Sequence, residues 1–203
     1  MKSMEGPMKQ EERDPNYYRK VTVFDLERSN IPLRLLGHIG PEHILEIDRE
    51  KMSQFLGVWS NNLENNLEHG LLFYHPSDID SILPDAYMAH LLVGAMNRRR
   101  SVYCVSMFEL DALEFGDPGF VDFLINVEVL GIYDFPYVSD KIIPILNRIF
   151  SRRYDHLLPT LYSSHEKNLP ETVMNSYYGE LHRSAVQALK NFTVYFEIGS
   201  KHE

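Results

Sequence analysis

The residues best placed to do chemistry sit at one junction. Leu71-Leu72-Phe73-Tyr74 is a short apolar run of strand type, and it opens into His75-Pro76-Ser77-Asp78-Ile79-Asp80-Ser81-Ile82. A loop there can wrap phosphate oxygens if it follows G-x-x-x-x-G-K-[ST]. The glycines let backbone N–H groups close round the anion, the lysine reaches the outer phosphates, and the hydroxyl holds magnesium. In this register the glycine positions hold His75 and Asp80, the lysine position Ser81 and the hydroxyl position Ile82. Asp78 and Asp80 put two carboxylates where a polyanion would bind. The junction has the frame of a phosphate site and lacks its chemistry.

Other chemistries find less support. Nine histidines raise the question of a metal. No H-E-x-x-H or paired-histidine pattern occurs, and Gly40 and Pro41 interrupt the spacing of His38 and Glu42, so no metal and no other cofactor is expected. Cys104, the one cysteine, falls in a strand of buried type, where thiols are inert packing. Ser163-Ser164-His165 has the residue types of a hydrolase fragment. It lacks G-x-S-x-G, and adjacency in sequence does not orient a serine against a histidine. Arg98-Arg99-Arg100 is of the type that contacts nucleic acid, but on an acidic chain a solvated helix end is the better reading. Trp59 and the pairs Tyr17-Tyr18 and Tyr177-Tyr178 are residues that either anchor a partner or fill a core.

The elements that must position these residues can be read from the pattern. Pro84 to Asn97 is a helix with Tyr87, Leu91, Leu92 and Ala95 on one face. Ser101 to Val105, Val129 to Asp134 and Thr160 to Ser164 are strands, and Phe192 to Ile198 alternates cleanly as another. Phe108 to Leu113 gives a helical turn, and Gly116-Asp117-Pro118-Gly119 a loop. Ser139 caps a helix running to Tyr154, with Pro144 delaying its start or bending it. Pro41 opens a helical stretch, Pro170 to Lys190 is helical in two pieces, and Val21 to Gly40 shows no long helix. Strands alternating with helices imply a parallel α/β sheet.

The totals agree with one such domain. The chain has 203 residues and a formal charge of −9, from 20 basic and 29 acidic side chains. An acidic balance disfavours nonspecific nucleic-acid binding. No apolar run is long enough to span a membrane, and the N-terminus lacks the apolar core of a signal peptide, so a cytoplasmic protein without membrane contact is expected. Residues 1–20 are expected to be a flexible segment, 21–69 an extension with a first helix packed on the core, and 70–203 the α/β domain.

From about Ile31 to Ile198 the order of these pieces resembles the AAA+ domain of bacterial replicative-helicase loaders of the DnaC type, with the related IstB-type transposition ATPases. Asn30-Ile31-Pro32 is similar to that family's "-IP-" lead-in, and Gly70 to Tyr74 to the strand feeding its P-loop. Ser101 to Val105 with Phe108-Glu109-Leu110 resembles the second strand and its "-eL-". Leu130-Gly131-Ile132-Tyr133-Asp134-Phe135 sits at the Walker B strand. Arg152-Arg153-Tyr154, followed by Pro159-Thr160-Leu161-Tyr162-Ser163-Ser164-His165, is the most specific part and looks like the family's "-RY-…-PT-I-x-T-S-N-" run. The resemblance implies a P-loop NTPase-like fold of five parallel strands in the order 5-1-4-3-2, with helices on both faces.

The departures fall at the family's catalytic positions. Asp134 is retained at the metal-linked position, but Phe135 replaces the acid that would polarise the attacking water. His165 replaces the sensor asparagine, and Ala185 stands in the slot of an "S-R-L" arginine. Phosphoryl transfer is mostly positioning and charge stabilisation, so these losses together remove most of its terms. The resemblance therefore implies a non-catalytic, loader-like protein. Its expected role is interaction or scaffolding in DNA replication or mobile-element biology, with an active AAA+ protein, a helicase or a second copy as partner. Arg148, Arg152 and Arg153 are candidates for meeting a neighbouring subunit or DNA, against a plain reading of surface pairs with Asp140, Asp155 or Glu166. Two alternatives stay open: a single-stranded nucleic-acid-binding module on the same fold, and a nucleotide-dependent ATPase with an unusual site at Asp134 and His165.

Overall fold

A computed structural model describes residues 20–38, 48, 70–75, 82–113, 117–135, 139, 141–165, 185, 189 and 193–199. Five strands, β1 (Gly70–Tyr74), β2 (Val102–Ser106), β3 (Val129–Tyr133), β4 (Thr160–Ser164) and β5 (Thr193–Glu197), form one sheet in the order β2-β3-β4-β1-β5. Every pairing is parallel. Read from the other edge this is the expected order 5-1-4-3-2.

Period two along each strand divides the core. Leu71 and Phe73 of β1 face one side, and Leu72 and Tyr74 the other. The first side receives α2 (Leu83–Asn97), whose Tyr87, Met88, Leu91 and Leu92 are fully buried. Phe73, Tyr87 and Phe196 form an aromatic cluster there, with ring centroids 5.4 to 6.0 Å apart. The other side receives α3 (Met107–Ala112), α4 (Pro118–Asn126) and α5 (Ile142–Asp155). Gly131 lets α2 lie close to the sheet: a Cβ there would stand 2.8 Å from Leu92 Cδ1 and 2.9 Å from Cys104 Sγ.

Local signals explain the ends. α1 (Val23–Arg28) is short but carries a capping box between Thr22 and Asp25, and a 3-10 turn (Leu33–His38) follows it. Ser106 and Glu109 make a second capping box at the start of α3. The Gly116–Gly119 stretch is corrected. Asp117 accepts the Phe120 N–H at 2.9 Å and Pro118 opens a nine-residue helix, because proline at the first helical position gives up an N–H that has no partner anyway. Ser139 Oγ accepts the Ile142 N–H at 3.3 Å. Pro144 falls in the first turn of α5, where proline is tolerated.

Hydrogen bonds from outside the sheet finish it at two places. The outer rim of β2 is covered by the segment after α1: the Cys104 N–H donates to Ser29 O at 2.9 Å, and Asn30 Nδ2 donates to Cys104 O at 3.0 Å. At the N-terminal end of the strands, Arg153 is 1% exposed. Its guanidinium donates to the carbonyls of Leu124 (3.0 Å), Ile125 (3.1 Å), Val127 (2.7 Å) and Pro159, and to Thr160 Oγ1 (2.9 Å).

Candidate functional site

In a parallel sheet the carboxyl ends of the strands form the natural crevice. Here the ends of β1, β3 and β4 bring together His75, Asp134 and His165, and the first turn of α2 supplies Asp85. Asp85 is the centre of the arrangement and is 2% exposed. It accepts the Ser163 hydroxyl at 2.7 Å and Arg34 Nη2 at 3.0 Å, and His165 Nε2 lies 3.5 Å away. Burial alone would push its pKa up. Hydrogen bonds from His165, Ser163 and Arg34, with the histidine's charge, outweigh that and hold it below its ordinary value.

Asp134 departs from the expected strand. β3 ends at Tyr133, and Asp134 turns into the left-handed region at φ 58°, which aspartate tolerates better than most residues. Burial raises its pKa, the charge of Asp85 raises it further, and His165 and Arg34 act the other way. Two carboxyls thus share one electrostatic site with their pKa values driven apart. The Ser163 hydroxyl points its proton at Asp85, so Ser163 and His165 converge on one carboxylate and form no nucleophile-and-base pair.

The other expected positions divide. His75 is half-buried at the end of β1. Ile82 is the residue before α2, with no side-chain cap bond, so a hydroxyl position read there precedes the helix. Asp78, Asp80 and Ser81 lie outside the described residues, as do Trp59, Tyr17, Tyr18, Tyr177 and Tyr178. Phe135 is 1% exposed and packs on Tyr162 and Phe150 at 4.9 and 6.5 Å. It is a core residue facing away from α2. Ala185 is fully buried in the same cluster.

Of the arginine trio, Arg153 is corrected. Arg153 cannot reach a partner, because four carbonyls and a hydroxyl enclose it. Arg148 pairs with Asp122 at 2.6 Å, on α4 rather than any of the expected acids. Arg148 and Arg152 are both exposed, and Arg152 has no side-chain partner among the described residues. Cys104 is fully buried and accepts from the Tyr133 hydroxyl at 3.4 Å. Burial pushes its thiol up to about 12 even against that bond, so it stays protonated and unreactive. Among the described residues no three His, Cys, Asp or Glu side chains gather to hold a metal. None of the described helices is long and apolar enough to cross a membrane.

Sequence reasoning missed Asp85 as a functional residue. An acid in the first turn after Pro84 reads as an ordinary dipole partner. Nothing in the spacing says that Arg34, 51 residues earlier, and Ser163, 78 residues later, would close on it.

No protein-family profile and no curated protein matches the sequence. Solved structures do match its shape. The DnaC helicase loader superposes with a TM-score of 0.62 at 17% identity, over 82% of this chain and 99% of that one. DnaI superposes at 0.57 and 18%, over 74% and 84%. AMPPCP-bound DnaA from Aquifex aeolicus superposes at 0.58 and 16%, over 79% of this chain and half of that one. With the parallel order of the sheet, these likenesses show a P-loop NTPase-like fold of the AAA+ type.

Proposed function

We propose that this protein is a non-catalytic, helicase-loader-like factor of the cytoplasm that works by protein interaction in DNA replication or mobile-element biology. One observation carries the reading: a buried carboxylate, Asp85, occupies the first turn of the helix that follows β1. A helix N-terminus in this place attracts phosphate because its free N–H groups and dipole favour negative charge. Asp85 supplies that charge from within, and Arg34, Ser163 and His165 spend their hydrogen bonds on it. A phosphate at about 4 Å from this carboxylate would meet a repulsion of about 4 kcal/mol at an effective dielectric of 20. The DnaA structure holds AMPPCP. In this reading Asp85 and the three side chains bonded to it take the place of the anion at that helix start, so the shape of the crevice does not depend on nucleotide. Asp78, Asp80 and Ser81 in the degenerate loop, and Phe135 and Ala185 in the core, belong to the same reading. An active AAA+ protein, a helicase or a second copy is the partner it implies.

Calorimetric titration with ATP and magnesium tests it. No saturable heat is expected up to millimolar ATP. A dissociation constant in the low micromolar range, or phosphate release abolished by Asp134→Ala, overturns the reading in favour of an active ATPase.

A further inference from the structure

A groove of about 560 Å³ lies between α1 and α4, over the N-terminal half of β2 and away from the crevice. Its floor is Ser101 to Tyr103. Strand geometry fixes what this floor offers. Cys104 turns its N–H and C=O outward to Ser29 and Asn30, whereas Ser101 turns its carbonyl inward to the Val129 N–H at 3.0 Å. Alternation along a parallel strand then turns the N–H and C=O of Val102 outward as well, into the groove. Among the described residues, no hydrogen bond closes this rim one step earlier, at Val102, which is 7% exposed.

The walls differ in chemistry. On one side Phe123 is 46% exposed and stands edge-on to Tyr103 at 5.0 Å. On the other, Arg28, Arg99 and Arg100 line the groove. The two acids beside them are already engaged: Asp25 closes the capping box of α1, and Glu128 accepts Arg100 at 2.9 Å and the Ser101 N–H at 2.7 Å. With three arginines against two acids, the aromatic-walled groove keeps a small positive excess on a chain of net charge −9.

We infer that this groove binds an extended, acidic peptide segment of a partner protein. The outward backbone pair of Val102 calls for a peptide backbone in strand conformation. Side chains on a strand alternate, so acidic residues on one face would meet the arginines while an apolar residue on the other packs against Phe123 and Tyr103. This deepens the reading of the chain as an interaction factor and rests on it. It uses none of the crevice residues.

The test is fluorescence polarisation with the labelled peptide Glu-Val-Glu-Phe-Glu-Val-Glu-Val on the full chain. Saturable binding is expected, with the Val102 amide slowed in hydrogen exchange. Arg28→Glu or Phe123→Asp should each weaken binding at least about tenfold, or ~1.4 kcal/mol. Both residues are exposed, and an unchanged circular dichroism spectrum shows that each variant is folded. The proposal is overturned by absence of saturation below about 1 mM, by equal binding of a lysine-for-glutamate peptide, or by affinity that neither variant changes. Displacement of the peptide by single-stranded oligothymidylate would assign the groove to nucleic acid instead. ATP binding in the calorimeter would sink the closed-crevice reading and leave this titration intact, so the two failures are distinguishable.

Discussion

Asp85 and Arg153 are buried charges that grip opposite ends of β4, and they are held by different means. Arg153 sits at the start of the strand among four backbone carbonyls and one hydroxyl. Its acceptors are neutral, do not titrate and are fixed by the chain itself. Burial brings its pKa down only to about 9, so it remains a cation at neutral pH. Asp85 sits at the end of the strand among side chains from three separate places, one of them an imidazole. The base of the sheet is therefore a fixed staple, whereas the crevice is a hub whose strength depends on the charge of its members. This is the division expected when the carboxyl end of a parallel sheet is the end that evolves new roles and the other end only holds the fold.

The sharpest way to break the contrast is at Arg153. Arg153→Met should cost about 3–5 kcal/mol, because it strands several carbonyls in the core. Chemical denaturation reads this directly. A loss below about 1 kcal/mol would mean that the residue is peripheral after all, as a partner-binding arginine would be. The effect should be nearly flat between pH 5 and pH 8, since none of its partners ionises.

Asp85→Asn should cost less, about 1–3 kcal/mol at pH 7, and its cost should depend on pH. The folded-state pKa of Asp85 lies below the ordinary 3.8. Its stabilising contribution is therefore complete above that value and disappears as the pH falls through the lowered one. Denaturation curves of parent and variant should converge in acid. Parallel curves down to pH 2 would show that Asp85 is not the hub described.

The smallest effect should come from Asp134→Asn, and it should have the opposite sign. Asp134 binds its proton more tightly in the folded chain, so its charge subtracts stability as the pH rises from its ordinary 3.8 through the raised value. Asparagine keeps the left-handed turn and removes the repulsion with Asp85. A gain of ~0.5 kcal/mol at neutral pH is expected after solvent screening, seen as a small rise in Tm that vanishes in acid. A loss instead would place Asp134 among the stabilising members of the hub.

How far each region could be read beforehand follows the same line. β1, β2 and β3 were legible as short, mostly apolar runs between turn signals, and Thr160 to Ser164, only partly apolar, coincides with β4. α4 was not, because Gly119 beside Pro118 resembles a loop, although Asp117-Pro118 is also a helix start. Asp134 and His165 could be located by their order along the chain. Asp85 could not, since its importance comes from contacts 51 and 78 residues distant. Arg153 was misjudged for a related reason. A basic residue in the last turn of a helix is usually a solvated partner of the dipole, and only the packing of α4 and β4 around it shows otherwise.

The cover that Ser29 and Asn30 lay over Cys104 reaches beyond local bonding. Bare strand rims are templates on which other chains stack into fibrils. Trimming the polypeptide back to Gly70 would leave every strand of the sheet intact while uncapping one side of it. Ser29 and Asn30 thus shield the rim at Cys104, and shortened versions made for laboratory work should retain them.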